Sequence, residues 1–200
     1  MKYQKIVVFY FVLISLLSEA QNKVYQSERE KIHDLVHTKL NVDFNFDNKT
    51  MNGEAWITAK PHFYSTNFIT LDAKAMLIHQ VSMNNTALKY TYEDGLNLII
   101  SLPKTYQREE EFTIYIKYTA QPEKVYQKGS AAITSAKGLY FINADGSEKN
   151  KPTQIWTQGE TEASSCWFPT IDAPNQKTSQ EIYMTVPDKF VTLSNGALIS

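Results

Sequence analysis

LNVDFNFDNKTMNGEAWITA, residues 40–59, decides the fold. Leu40, Val42, Phe44 and Phe46 alternate with Asn41, Asp43 and Asn45, a period of two that sends the apolar set to one face of a strand. Asp47-Asn48-Lys49-Thr50 is turn chemistry, and residues 53–59 (GEAWITA) return as the second arm of a hairpin. Working outward, residues 67–72 (NFITLD) and 77–83 are two further strands. Residues 88–92 and 96–102 flank Glu93-Asp94-Gly95 as another hairpin, and Phe112, Ile114, Ile116 and Tyr118 alternate with Thr113, Tyr115 and Lys117. Residues 138–143 and 180–186 complete the set, and no long amphipathic helix interrupts it. Short strands at this spacing, joined mostly by tight turns, predict an all-β chain built as an antiparallel β-sandwich.

Both ends carry their own expectations. Lys2 and Lys5 precede the apolar run 6–17, and Ser18-Glu19-Ala20 has the small-x-small pattern of a signal peptidase site. The run is shorter than the roughly 20 residues a bilayer span needs. Residues 1–20 are therefore expected to be a secretory signal cleaved after Ala20. The mature protein is then exported, periplasmic or secreted, with no membrane span. Residues 21–30 follow as a loose polar lead-in, and 31–200 as the folded domain. At the other end, residues 191–200 are expected to be a strand whose Asn195-Gly196 turn has no return arm, so the final hairpin reads as truncated and the chain as cut short. The loop 122–137, with Gly129 and several small residues, is the expected surface excursion.

Composition excludes some functions. Twenty basic residues against 21 acidic give a net charge of −1, so no nucleic-acid or anionic-membrane partner is expected. Cys166 is the only cysteine, which rules out an intrachain disulfide. With no cationic neighbour to activate it, it is expected to be a buried apolar thiol. His33 and His37 have the i, i+4 spacing of a helical zinc pair, but Asp34 stands where the general-base Glu must follow the first His. On an extended strand the two stand about 13 Å apart, so no zinc site is expected there. Phosphate loops, nucleophile elbows and Cys-x-x-Cys pairs are all missing from the sequence.

The stretch that carries function is WTQGETEASSCWFPTIDAPNQK, residues 156–177, which has neither a strand nor a helix period. An irregular aromatic and acidic segment on a β scaffold is where binding residues concentrate. Its plainer alternative is a buried crossover whose aromatics are only core. Gln158 and Glu160, two apart in an extended segment, would point the same way about 6.5 Å from each other. An amide beside a carboxylate recognises a cation with hydrogen-bond donors, such as a peptide α-ammonium group. The alternative is a solvated or capping Glu160 with Gln158 serving backbone groups.

Thr157-Gln158-Gly159-Glu160, then Trp167-Phe168-Pro169 and Asp172-x-Pro174-x-x-Lys177, resemble the N-terminal domain of the aminopeptidase N family of zinc metallopeptidases. Gly138-Leu139-Tyr140, Val186-Pro187 and Leu193-Ser194-Asn195-Gly196 agree in order and spacing. The resemblance implies a saddle-shaped β domain laid over a thermolysin-like catalytic domain. It also implies Gln158 as a pocket-lining residue and Glu160 as the anchor of the substrate's free α-amino group. Where many members carry Arg residues and a Cys, this chain has Ala163-Ser164-Ser165 and Pro169-Thr170-Ile171. The zinc-binding His-Glu-x-x-His helix, its distant Glu ligand and the Gly-x-Met-Glu-Asn loop are not in this sequence. Zinc is thus expected in the parent enzyme with its ligands outside this chain, and the chain alone is expected not to be catalytic. Two rivals stand beside this reading. One is a free-standing β-sandwich module presenting Trp156, Trp167 and the Tyr-rich strands to a carbohydrate or protein. The other is a relative that kept the scaffold and lost catalysis.

Overall fold

A computed structural model describes residues 27–125 and 135–199. The expected signal 1–20, most of the lead-in 21–30 and the middle of the loop 122–137 lie outside the described residues. The strands are β1 (His33–Asn45), β2 (Thr50–Pro61), β3 (Thr66–Asp72), β4 (Met76–Met83), β5 (Thr86–Ala87), β6 (Tyr90–Thr91), β7 (Asn97–Tyr106), β8 (Phe112–Ala120), β9 (Leu139–Ile142), β10 (Gln154–Thr157) and β11 (Ser179–Thr185). They form a six-stranded sheet in the order β11-β1-β2-β8-β4-β5, a three-stranded sheet β3-β7-β6, and a two-stranded ribbon of β10 and β9.

The hairpin read from residues 40–59 is β1 and β2, paired from His33↔Pro61 to Asn45↔Thr50. Its turn places Lys49 at φ 52°, while the Asn45 side chain accepts the Asn48 N–H at 2.9 Å. On β2, Met51, Ala55, Ile57 and Ala59 are buried and alternate with polar or partly exposed neighbours. Ile57, Ile114 and Ile116 from the large sheet join Leu71, Leu98 and Ile100 from the small one in a single core cluster, each 1% exposed or less. Burying a side chain of this size contributes about 1.5–3 kcal/mol. Two packed layers around one such core are the predicted sandwich.

Two details differ from expectation. β11 runs parallel to β1, from His37↔Ser179 to Asp43↔Thr185, whereas the other paired strands are antiparallel. A parallel pair needs a long connection between its strands, and the chain between β10 and β11 is the last part of one. Residues 191–199 form no strand; Val191 is 97% exposed and Leu193 96%. Extended backbone becomes a strand only where a ladder partner satisfies its N–H and C=O groups, and β11 has gone to the edge of β1 instead.

A β-bulge between Leu35 and His37 settles the histidine pair. His33 is only 3% exposed and meets Phe68 and Phe112 edge-on, at 6.0 and 6.5 Å between ring centroids. His37 is partly exposed and its Nδ1 lies 2.8 Å from the Ser179 hydroxyl. Burial holds the His33 imidazole below its ordinary pKa of 6.5, partly offset by a hydrogen bond with the Phe68 backbone. Below about pH 6.5 the unfolded chain therefore binds a proton that the folded chain refuses, and stability falls as pH drops. Denaturant midpoints measured from pH 7.5 to 5 are expected to show His33→Gln flattening this slope, for which one proton sets an upper limit of about 1.4 kcal/mol per pH unit. Parallel curves for the two proteins would contradict the buried neutral state.

Candidate functional site

The site grows from the β9–β10 ribbon. Its register pairs Leu139 with Thr157, Tyr140 with Trp156 and Phe141 with Ile155. Leu139 and Phe141 are buried, and Ile155 packs on the same core, so one face of the ribbon is sealed. Strand alternation puts Tyr140 and Trp156 on the other face. Gln158 continues the ladder by one rung, its N–H donating to the Gly138 carbonyl at 2.9 Å.

Beyond Gln158 the chain leaves the ladder. The Ala163 N–H donates to the Gly159 carbonyl at 3.0 Å, and Cys166 to Ala163 at 3.2 Å, closing a single 3-10 turn over Ser164–Cys166. Glu160 lies in the turn and not on an extended strand, so the strand geometry expected for the Gln158/Glu160 pair ends at Gln158. The reason is local. Backbone donors without a strand opposite must bond within the segment, and the turn supplies those acceptors. Gln158 is half-buried and Glu160 exposed; neither side chain bonds to any described residue.

A rigid pedestal carries this turn. Asp72, at the end of β3, pairs with Thr170 through both backbone groups, at 2.7 and 3.0 Å. Its carboxylate takes a bidentate Arg29 at 2.8 and 2.7 Å and the Asp172 N–H at 2.8 Å. The Asp172 carboxylate in turn accepts the Ser165 N–H at 2.8 Å, inside the 3-10 turn. Lys74 adds its backbone N–H to the Ser165 carbonyl at 2.8 Å and its ammonium to the Glu162 carbonyl. Charge-assisted bonds of this kind are the strong ones. The hydrogen bond to Asp72 raises the Arg29 pKa against partial burial, with Asp72, Glu162 and Asp172 adding their charges.

The loop's other half is apolar. Ala163, Cys166 and Phe168 are buried, and burial pushes the Cys166 thiol up to about 11, which keeps it protonated and inert. The aromatics of residues 156–177 thus divide: Phe168 is core, Trp167 is partly buried against it, and Trp156 is 43% exposed. Of the pedestal, the sequence offered Asp172 as part of a motif but no sign of Asp72 or Arg29. Nothing in a strand such as NFITLD marks its last carboxylate as the partner of a loop 100 residues away. Arg29 also shows that the lead-in is tied down at this point.

Zinc does not fit the described residues. Among the described residues no group of three His, Cys, Asp or Glu side chains is arranged to hold a metal ion. His33 is sealed in the core and His37 belongs to the sheet edge at Ser179. No helix among the described residues is long and apolar enough to cross a membrane.

Residues 29–200 match the family described as the Peptidase M1 N-terminal domain. Leucine aminopeptidase 2 of Vanderwaltozyma polyspora is 23% identical over 148 residues, 72% of this chain and 21% of that protein. Transcription initiation factor TFIID subunit 2 of Danio rerio is 21% identical over 214 residues, covering 92% of this chain and 18% of its own length. Among solved structures, the M1 zinc metallopeptidase from Deinococcus radiodurans superposes with a TM-score of 0.65 at 15% identity, over 82% of this chain and 34% of that one. The chain thus spans about a fifth of the curated relatives and about a third of this structural neighbour.

Proposed function

Taking as premise that this chain belongs to the Peptidase M1 N-terminal domain family, we propose that it is the substrate-anchoring domain of an exported zinc aminopeptidase that removes N-terminal residues from peptides. Residues 1–20 direct export to the periplasm or the medium, and residues 31–200 form the domain. Glu160 grips the α-ammonium group of the peptide and Gln158 lines the pocket beside it. The peptidase's zinc, with its ligands, belongs to polypeptide outside this chain.

One observation carries this reading. Glu160 is exposed on a turn braced by the carboxylates of Asp72 and Asp172, and its own carboxylate has no partner among the described residues. Core and pedestal hold the turn, so the side chain is presented without being consumed in the fold. Its position supports the anchoring role because a carboxylate facing inward could not reach a substrate.

The test uses the full-length protein and leucine 4-nitroanilide with a free or an N-acetylated amine. We expect hydrolysis of the free amine and at least tenfold less of the acetylated substrate, since acetylation removes the cation that a charge-assisted bond recognises. Equal rates would contradict amine anchoring. The likeness to a transcription factor subunit over 92% of the chain supports a second reading, a protein-binding scaffold. On that reading neither substrate is cleaved.

A further inference from the structure

We propose that the stacked pair Tyr140–Trp156 is the side-chain plate of the anchoring site and selects peptides whose first residue is large and apolar. This rests on the anchoring role of Glu160. The two rings lie 4.4 Å apart between centroids and 13° from parallel. They occupy the face of the β9–β10 ribbon turned away from the core, because Leu139, Phe141 and Ile155 fill the other face. Gln158 follows Trp156 by two residues on the same ladder, bonded to Gly138, so its side chain emerges on the face of the plate. Consecutive same-face residues on a strand stand about 6.5 Å apart.

The plate is fixed at its far end. The Tyr140 hydroxyl donates to the Ser135 carbonyl at 2.6 Å and accepts the Lys137 N–H at 3.2 Å. Trp156 covers the ring of Tyr140 and keeps 43% of its own surface exposed. Burying this aromatic surface against apolar ligand atoms is favourable, and stacked rings offer it a flat face. On the other side of Gln158, Ala163 closes over Gly138; a Cβ on Gly138 would meet the Ala163 carbonyl oxygen at 2.0 Å. Gln158 therefore lies between an aromatic plate and the turn that carries Glu160. In a peptide held by its α-ammonium, the first side chain branches from the same carbon. On this proposal a Leu, Phe or Tyr side chain directed along the ribbon meets the plate, for which an Ala methyl is too short.

The experiment measures kcat/KM of the full-length protein for alanyl, leucyl and phenylalanyl 4-nitroanilides. Trp156→Ala is expected to lower the leucyl-to-alanyl and phenylalanyl-to-alanyl ratios about tenfold, chiefly through KM, the scale at which apolar contacts discriminate substrates. Trp156→Phe, which keeps a ring on Tyr140, should restore most of the preference. Unchanged ratios, or an equal fall for all three substrates, overturn the plate; the equal fall would mean that Trp156 packs against another domain. Glu160→Ala separates this from the anchoring role, because it should lower all three values together. If Glu160→Ala has no effect while Trp156→Ala moves the ratios, anchoring fails and the plate survives as an independent subsite. Anchoring upheld with unmoved ratios leaves the plate refuted.

Discussion

Replacing Glu160 with alanine in the full-length protein is expected to raise KM for aminoacyl substrates and to lower kcat/KM by about one to two decades. The size follows from the bond removed: a charge-assisted hydrogen bond is worth about 1.5–3 kcal/mol, and each 1.4 kcal/mol is a factor of ten. Stability should hardly change, because the Glu160 side chain bonds to no described residue and is exposed. That combination is diagnostic. A carboxylate that only capped or braced the turn would show the reverse, a lower melting temperature with kinetics preserved among folded molecules. Glu160→Gln keeps the shape and one acceptor but loses the charge, so it should fall between wild type and alanine. Wild-type kinetics in Glu160→Ala would remove the anchoring role outright.

A large loss of stability is expected at Gly138. This residue has φ +71°, and an added Cβ would stand 2.0 Å from the Ala163 carbonyl oxygen and 2.9 Å from the Cys166 Cβ. Both neighbours are fully buried in a small cluster with Ala136, with Ala163 and Cys166 at 0% exposure, so neither can swing aside cheaply. Gly138→Ala should therefore cost on the order of 3 kcal/mol or more, backbone strain plus overpacking. Gly95 provides the control. It has φ +65° with nothing within 4 Å of the added Cβ, so Gly95→Ala should cost only the conformational part, about 1 kcal/mol. Denaturant unfolding of the two variants measures the difference. Equal losses would mean that Ala163 does not press on the ribbon. Since the ribbon and the turn meet at this contact, Gly138→Ala should also displace Glu160, and any folded enzyme should show a raised KM.

Much of this molecule is legible in its alternations. The period-two runs from Leu40 and Phe112 named the buried face of β1 and β8, because a half-buried strand must sort its side chains by face. The stretch 156–177 stood out for the opposite reason, its lack of any period. The tightness of its turn was not legible. Gln158 and Glu160 invite an extended reading, and only hydrogen bonds closing onto Gly159 and Ala163 bend the chain there. The sequence likewise marked 191–200 as a strand, although alternation cannot say whether an edge is waiting for it. Histidines at i and i+4 present a similar limit. They share a face on any regular strand, and a single bulge at Leu35/His37 sends one into the core and leaves the other outside.

By itself, the sequence determined which segments can be strands and which stretch carries polar groups that no strand needs. Both are local properties, written in spacing and residue type. Tertiary structure alone decided that Arg29, Asp72 and Asp172 converge under one turn, that β11 runs with β1, and that Glu160 faces outward with its carboxylate unspent. Those are contacts between residues far apart along the chain. They are chosen by the collapse of the two sheets onto a shared core, and their free energy is released only once that core exists.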